Sequence, residues 1–184
     1  MWPWGHLAVG YLCYVAWTRI RGTNQRPLAV FAVVFGSQFP DLIDKPLAWT
    51  VPILPSGRSL VHSLLTATCI LVVGYRASQR FNRTDVFAAF AIGYLTHIIG
   101  DLGPRVIGGL LTGDFTQLKW TTYLLWPLLP APPYPNDDSF LAHFTAFTID
   151  PFVAVQFVLF GIAVVVWLWT AMTPSIRYLQ SRLP

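Results

Sequence analysis

PFVAVQFVLFGIAVVVWLWT, residues 151–170, decides the fold class. It is an uncharged apolar run of the roughly 20 residues that an α-helix needs to cross the hydrocarbon core of a bilayer. The rest of the 184-residue chain agrees with it, being 54% hydrophobic, 15% aromatic and only 11% charged. A soluble domain carries about 25% charge. There is no glutamate, and all eight acids are aspartate. The net charge of +4 does not point to nucleic acid, because the basic residues fall in short clusters between apolar runs, as membrane topology requires. Cys13 and Cys69 both sit inside apolar runs and read as buried thiols, not as a disulfide or a metal pair. The first basic residue, Arg19, follows the opening apolar stretch, so that stretch does not read as a signal peptide. With no repeat and no long hydrophilic linker, residues 1–184 read as a single transmembrane helical domain.

Working outward from 151–170, further apolar runs occur at about 2–18, 27–40, 60–75 and 86–100, with a sixth candidate at 118–130. They are shorter and interrupted by glycine and polar groups, as in spans whose polar residues face protein or water. The run at 118–130 ends in PLLPAPPYP and reads as a re-entrant or interfacial piece. Charge sets the orientation. Arg19, Arg21, Arg26, Arg76, Arg80, Arg83, Arg177 and Arg182 lie in alternate connections and the tail, opposed by Asp85 alone. The intervening connections hold Lys45, Arg58, Arg105 and Lys119 among seven aspartates. The positive-inside rule places the first group in the cytoplasm. The expectation is an all-α polytopic bundle of five spans in the cell membrane, with the N-terminus outside and the C-terminus cytoplasmic.

In that topology the polar residues share one level. His6 begins the first span, Asp41 and Asp44 follow the second, His62 opens the third, and His97 and Asp101 close the fourth. All lie at the extracytoplasmic ends, where ionisable groups are expensive and mark functional sites. His97 and Asp101 are four apart and share a helix face, as do Arg58 and His62 if 57–65 is helical. Asp41 and Asp44 converge if FPDLID forms a helical turn after Pro40. Each pair also has an ordinary explanation. Asp41 can cap a turn, Asp44 can pair with Lys45 or Arg58, and Arg58 can simply anchor its segment at the interface.

Together His6, Asp41, Asp44, His62, His97 and Asp101 form a candidate metal site. Imidazole and carboxylate donors suit zinc first, with manganese, iron and magnesium also compatible. Such a metal lowers the pKa of water and polarises a carbonyl or phosphoryl oxygen. Arg58 and Lys45 can anchor an anionic substrate, Arg58 with the planar fork that matches phosphate. Arg58, Asp44 and His62 are the candidates for catalysis. Ser59 and Ser63 read as supporting donors or helix caps, and His143 as an interfacial histidine or part of a lid.

The stretches FGSQFPDLIDK (35–45), GRSLVHSLL (57–65) and GYLTHIIGDLG (93–103), with HLAVG early and WPLLP late, resemble a known family. It is the membrane-bound metal-dependent hydrolase family, also described as LexA-binding, inner-membrane-associated hydrolases. The resemblance covers about residues 6 to 130, and the matching polar positions are His6, Asp41, Asp44, Arg58, His62, His97 and Asp101. The family's central motif reads like HRGxTHS. Gly57 stands here for its first histidine and Val61 for its threonine, whereas Arg58, His62 and Ser63 match. The missing histidine implies one tightly held ion and at most one weak one.

The leading functional expectation is a membrane enzyme that uses metal-activated water to cleave a phosphoester or other ester of a lipid or lipid-linked anionic substrate. The alternative is a non-enzymatic carrier or assembly factor with a structural or transported metal. An ion pathway needs polar groups along its depth. The inner halves of these runs offer little beyond Thr66, Thr68 and tyrosines, which favours the enzyme.

Overall fold

The computed structural model describes residues 1–135 and 137–180, with side chains through Met172. The chain is all-α. The order is α1 (Pro3–Ile20), α2 (Pro27–Trp49), α3 (Leu64–Arg80), α4 (Thr84–Gly100), α5 (Gly103–Thr112), a 3-10 segment (Phe115–Leu125), a short α6 (Phe140–Thr145) and α7 (Pro151–Gln180). Proline in the first turn starts α1, α2 and α5, where its missing N–H leaves no bond unmade. Side-chain oxygens cap α3, α6 and α7. Ser63 accepts from Leu65 N, Ser139 from Ala142 N, and Asp150 from Val153 N.

Two elements differ from the sequence expectation. The second apolar run does not end at Pro40, because α2 continues through Pro40 and Pro46 to Trp49 and takes Asp41 and Asp44 into its last turns. The third begins at Leu64, so Arg58 and His62 lie on an irregular segment and do not share a helix face. The cause is Asp44. Its carboxylate accepts the backbone N–H groups of Ser59, Val61 and His62, which curls the chain around one anion instead of along a helix axis.

Helix α2 packs most extensively on α4. Gly36 and Gly93 permit this, since a Cβ on either would run into the opposite backbone, at Phe90 O or Val33 O respectively. Helix α1 packs on α2, α4 and α7. Ala8, Tyr14, Val33 and Ala89 sit in the resulting core. After Asp101 the chain bends by 73° into α5, with Gly103 at a φ of +69° that suits glycine. Residues 118–130 form most of the 3-10 segment and the turn after it, packed on α5 and α3.

By length and composition α2 and the Pro151–Met172 part of α7 can cross a membrane, and the bent α4–α5 pair is a third candidate. Helices α1 and α3 fall short of that test, and α4 falls short when taken singly. Outward-facing Val158, Val165 and Trp169 give α7 a broad apolar surface. The chain is a multi-spanning membrane protein. Arg26 pairs with Asp85 at 3.0 Å, so two of the arginine-bearing connections lie at one end of the bundle. Arg182 and the side chain of Arg177 lie outside what is described. Cys13 and Cys69 are free thiols on exposed faces of their helices, not buried as composition suggested. The apolar runs that hold them face outward there.

Candidate metal centre

Asp41 from α2, His62 from the segment before α3, and His97 and Asp101 from the end of α4 each offer one ligand atom. These four atoms lie within 4.8 Å of one another. His62 Nε2 is 3.1 Å from His97 Nε2, 3.6 Å from Asp41 Oδ1 and 3.4 Å from Asp101 Oδ2. His97 Nε2 lies 3.7 and 3.8 Å from the same two oxygens. A tetrahedral ion with bonds of about 2.1 Å holds its ligand atoms about 3.4 Å apart. Both histidines are fully buried, and Asp101 nearly so.

The histidine tautomers follow from what lies behind each ring. His97 Nδ1 is 2.7 Å from the Ser37 carbonyl, which can only accept, so Nδ1 carries the proton. His62 Nδ1 is 2.8 Å from Asp44 Oδ2, a carboxylate, and donates likewise. In the neutral rings both Nε2 atoms therefore bear lone pairs, aimed at each other and at two carboxylate oxygens. Asp41 Oδ1 is buried with no hydrogen-bond partner. Four electron-rich atoms facing one point repel unless a metal ion, or a proton on one of the Nε2 atoms, sits among them. The cluster fits a divalent metal, and donation from Nδ1 to a carboxylate or carbonyl is the usual way a protein aims a ligating imidazole.

Asp44 stands behind His62 and not beside the other carboxylates. Its oxygens are taken by three backbone N–H groups and His62 Nδ1, and it is wholly buried. It pairs with neither Lys45 nor Arg58. Its carboxylate positions His62 and shapes the segment that carries it. His6 stacks on His97 with ring centroids 3.7 Å apart, and its Nε2 lies 3.0 Å from Asp101 Oδ1. That approach is short but lacks hydrogen-bond geometry, and neither ring nitrogen of buried His6 has a hydrogen-bond partner. His6 is thus an adjacent donor beside the four. Asp101 Oδ1 also accepts the Met1 amino group at 2.5 Å.

Arg58 donates from Nε to Asp101 Oδ2 at 2.7 Å, and its guanidinium lies 4.6 Å from the centre of the Tyr134 ring. Burial opposes its charge, but the Asp101 carboxylate outweighs burial and holds its pKa above the ordinary arginine value. Burial raises the Tyr134 hydroxyl to about 12, so it stays protonated beside that charge. Lys45 pairs with Asp41 Oδ2 at 2.7 Å and lies over Trp49. It is engaged within α2 instead of reaching toward a substrate. His143 lies between the rings of Trp2 and Trp49, at 4.9 and 5.0 Å.

Several contributors were not legible in the sequence. The Ser37 carbonyl orients His97, a backbone role that no motif announces. Ser63 caps α3 as the sequence suggested, but its donation to Trp126 O at 2.6 Å, which ties the motif segment to the proline-rich stretch, could not be read there. Asp137 accepts from Trp49 Nε1 at 2.9 Å, from Ser56 Oγ at 2.5 Å and from Gly57 N at 3.1 Å. A Cβ on Gly57 would lie 2.9 Å from Asp137 Oδ1 and 3.0 Å from the Trp49 ring. A side chain at 57 has no room unless these neighbours shift, so the position matching the family's first histidine is closed here by Asp137 and Trp49. The cluster of acids in PNDD was the one available signal.

No curated protein and no solved structure matches the chain. A family does, and the matched stretch takes in the helices and the buried histidines and aspartates described above. From residue 1 to residue 181 the chain matches the family of the YdjM inner membrane protein, and it belongs to that family.

Proposed function

We propose that the chain is a metal-dependent hydrolase of the membrane, acting on a phosphoester or other ester of a lipid or lipid-linked substrate. The observation that carries this reading is the convergence of two aimed imidazole lone pairs and two carboxylates beside an arginine that borders a cavity. Asp41, His62, His97 and Asp101 would hold the metal, zinc being the ion these donors suit best. A divalent ion there supplies Lewis-acid polarisation of an ester oxygen and a water of lowered pKa. Asp44 and Ser37 fix the imidazole tautomers, and Arg58 offers a guanidinium to an anionic oxygen of the substrate. The expected result is release of phosphate or alcohol from phosphorylated amphiphiles by zinc-loaded protein, abolished by a chelator and restored by metal. Absence of turnover on phosphorylated and neutral esters alike, in protein that retains its metal, would sink the enzyme reading.

The same reading places α1, α2, α3, α4 and α7 across the membrane, α5 and the 3-10 segment on the outer side, and the metal cluster at the extracytoplasmic face. The grouping of the arginine clusters supports this orientation. In a background lacking Cys13 and Cys69, a cysteine at Arg80 is expected to label only from the cytoplasmic side of sealed vesicles. A cysteine at exposed Asp138 should label only from the opposite side. Labelling of both from one side overturns the five-crossing arrangement.

A further inference from the structure

Two cavities of opposite character border the metal cluster, each against a different one of its carboxylates. The first, of about 280 Å³, is lined by Asp101, Arg58, Arg105, Trp120 and Tyr134. Its two guanidiniums lie over aromatic rings, Arg58 on Tyr134 and Arg105 on Trp120, the latter at 5.2 Å. Asp101 is the one carboxylate lining it, and that charge is engaged by Arg58. Arg105 has no ion-pair partner among the described residues. The second cavity, of about 380 Å³, is lined by Asp41 with Leu42, Trp2, Trp49, Phe140 and Phe144. Its two charged residues, Asp41 and Lys45, neutralise each other. The remaining surface is mainly aromatic and aliphatic.

We infer that these cavities are the two halves of one binding site for a single-chain anionic amphiphile, with Arg105 a second anion contact and the aromatic cavity the seat of the alkyl chain. This rests on the hydrolase reading and names its substrate class, a phosphate or phosphonate group attached to an apolar chain. Three observations favour it. The cationic and apolar cavities touch the same four-residue cluster through Asp101 and Asp41, whose ligand oxygens are within 4.8 Å of each other. That places the junction between headgroup and chain at the cluster. A guanidinium stacked on an aromatic ring keeps its N–H edge for an oxyanion while its face is desolvated. An aromatic cavity inside a membrane protein, beside a charged one, complements a ligand that is polar at one end only.

The test uses the zinc-loaded full chain in lipid nanodiscs, with ethylphosphonate and octylphosphonate as non-cleavable probes. Binding is followed by tryptophan fluorescence, and free probe is corrected for partition into empty discs. Each buried methylene strengthens binding about fourfold, so octylphosphonate should bind at least tenfold tighter than ethylphosphonate. Arg105→Gln should weaken both probes by a similar factor of about ten. Leu42→Trp, at a position 57% exposed and so tolerant of change, should fill the apolar cavity and weaken octylphosphonate alone. Equal affinity for the two probes in wild type overturns the inference, as does octylphosphonate binding that neither substitution alters. These arms need no turnover. Binding in the expected pattern without hydrolysis of any ester would remove the enzyme reading and leave the amphiphile site. Hydrolysis indifferent to chain length and to Leu42→Trp would do the reverse.

Discussion

His97→Ala is expected to purify with no tightly held transition metal, while wild type retains on the order of one ion per chain. The substitution removes one of the four ligand atoms that the described residues bring together, and leaves the Ser37 carbonyl that aimed it without its donor. Asp44→Asn should give a graded result. Asp44 touches the cluster only through His62, and loss of a carboxylate behind a ligating histidine weakens metal binding roughly 10- to 100-fold. It also holds three backbone N–H groups, so Asp44→Ala should leave buried donors unpaired and destabilise the fold by roughly 3 kcal/mol or more. Metal analysis by mass spectrometry, paired with thermal unfolding in detergent, separates the three variants. Unchanged metal content in His97→Ala removes the centre as drawn. An effect of Asp44→Asn as complete as that of His97→Ala would make Asp44 a ligand itself.

Arg58→Lys is expected to keep fold and metal while losing most turnover of anionic esters. Lysine preserves the charge opposite Asp101, but not the planar fork or the stacking on Tyr134. A charge-assisted hydrogen bond contributes roughly 1.5–3 kcal/mol. Losing one from the transition state slows the reaction about 10- to 150-fold. If Arg58 merely anchors the segment at the membrane interface, lysine replaces it with little loss, because both side chains snorkel. Comparing metal content, stability and kcat/KM on phosphorylated and neutral esters decides between these roles. Full activity in Arg58→Lys, or a preference for neutral esters, would sink the anion-binding role and leave the metal centre standing.

The membrane helices and the chemistry of the cluster were fixed by local composition. An uncharged run such as 151–170 has nowhere but a bilayer to bury itself, and histidines and aspartates at the ends of apolar runs carry a solvation cost that only a partner or an ion offsets. His97 and Asp101 were legible as a pair because helical spacing alone puts them on one face. The division of labour among the acids was not legible. Asp41 and Asp44 are three apart on one helix, yet Asp41 turns an unpartnered oxygen to the cluster while Asp44 gathers the backbone of 59–62 behind it. That difference depends on which segment packs against each carboxylate, and residues some fifteen positions away in sequence supply the donors. The same holds for Gly57, whose missing side chain is answered by Asp137 from across the chain. Sequence determined which donor atoms are present and at which ends of the apolar runs they lie. Only tertiary packing decided which of them meet: the crossing of α2 on α4, made close by Gly36 and Gly93, and the folding of residues 59–62 onto Asp44, because ligand convergence is set by backbone approach between distant segments.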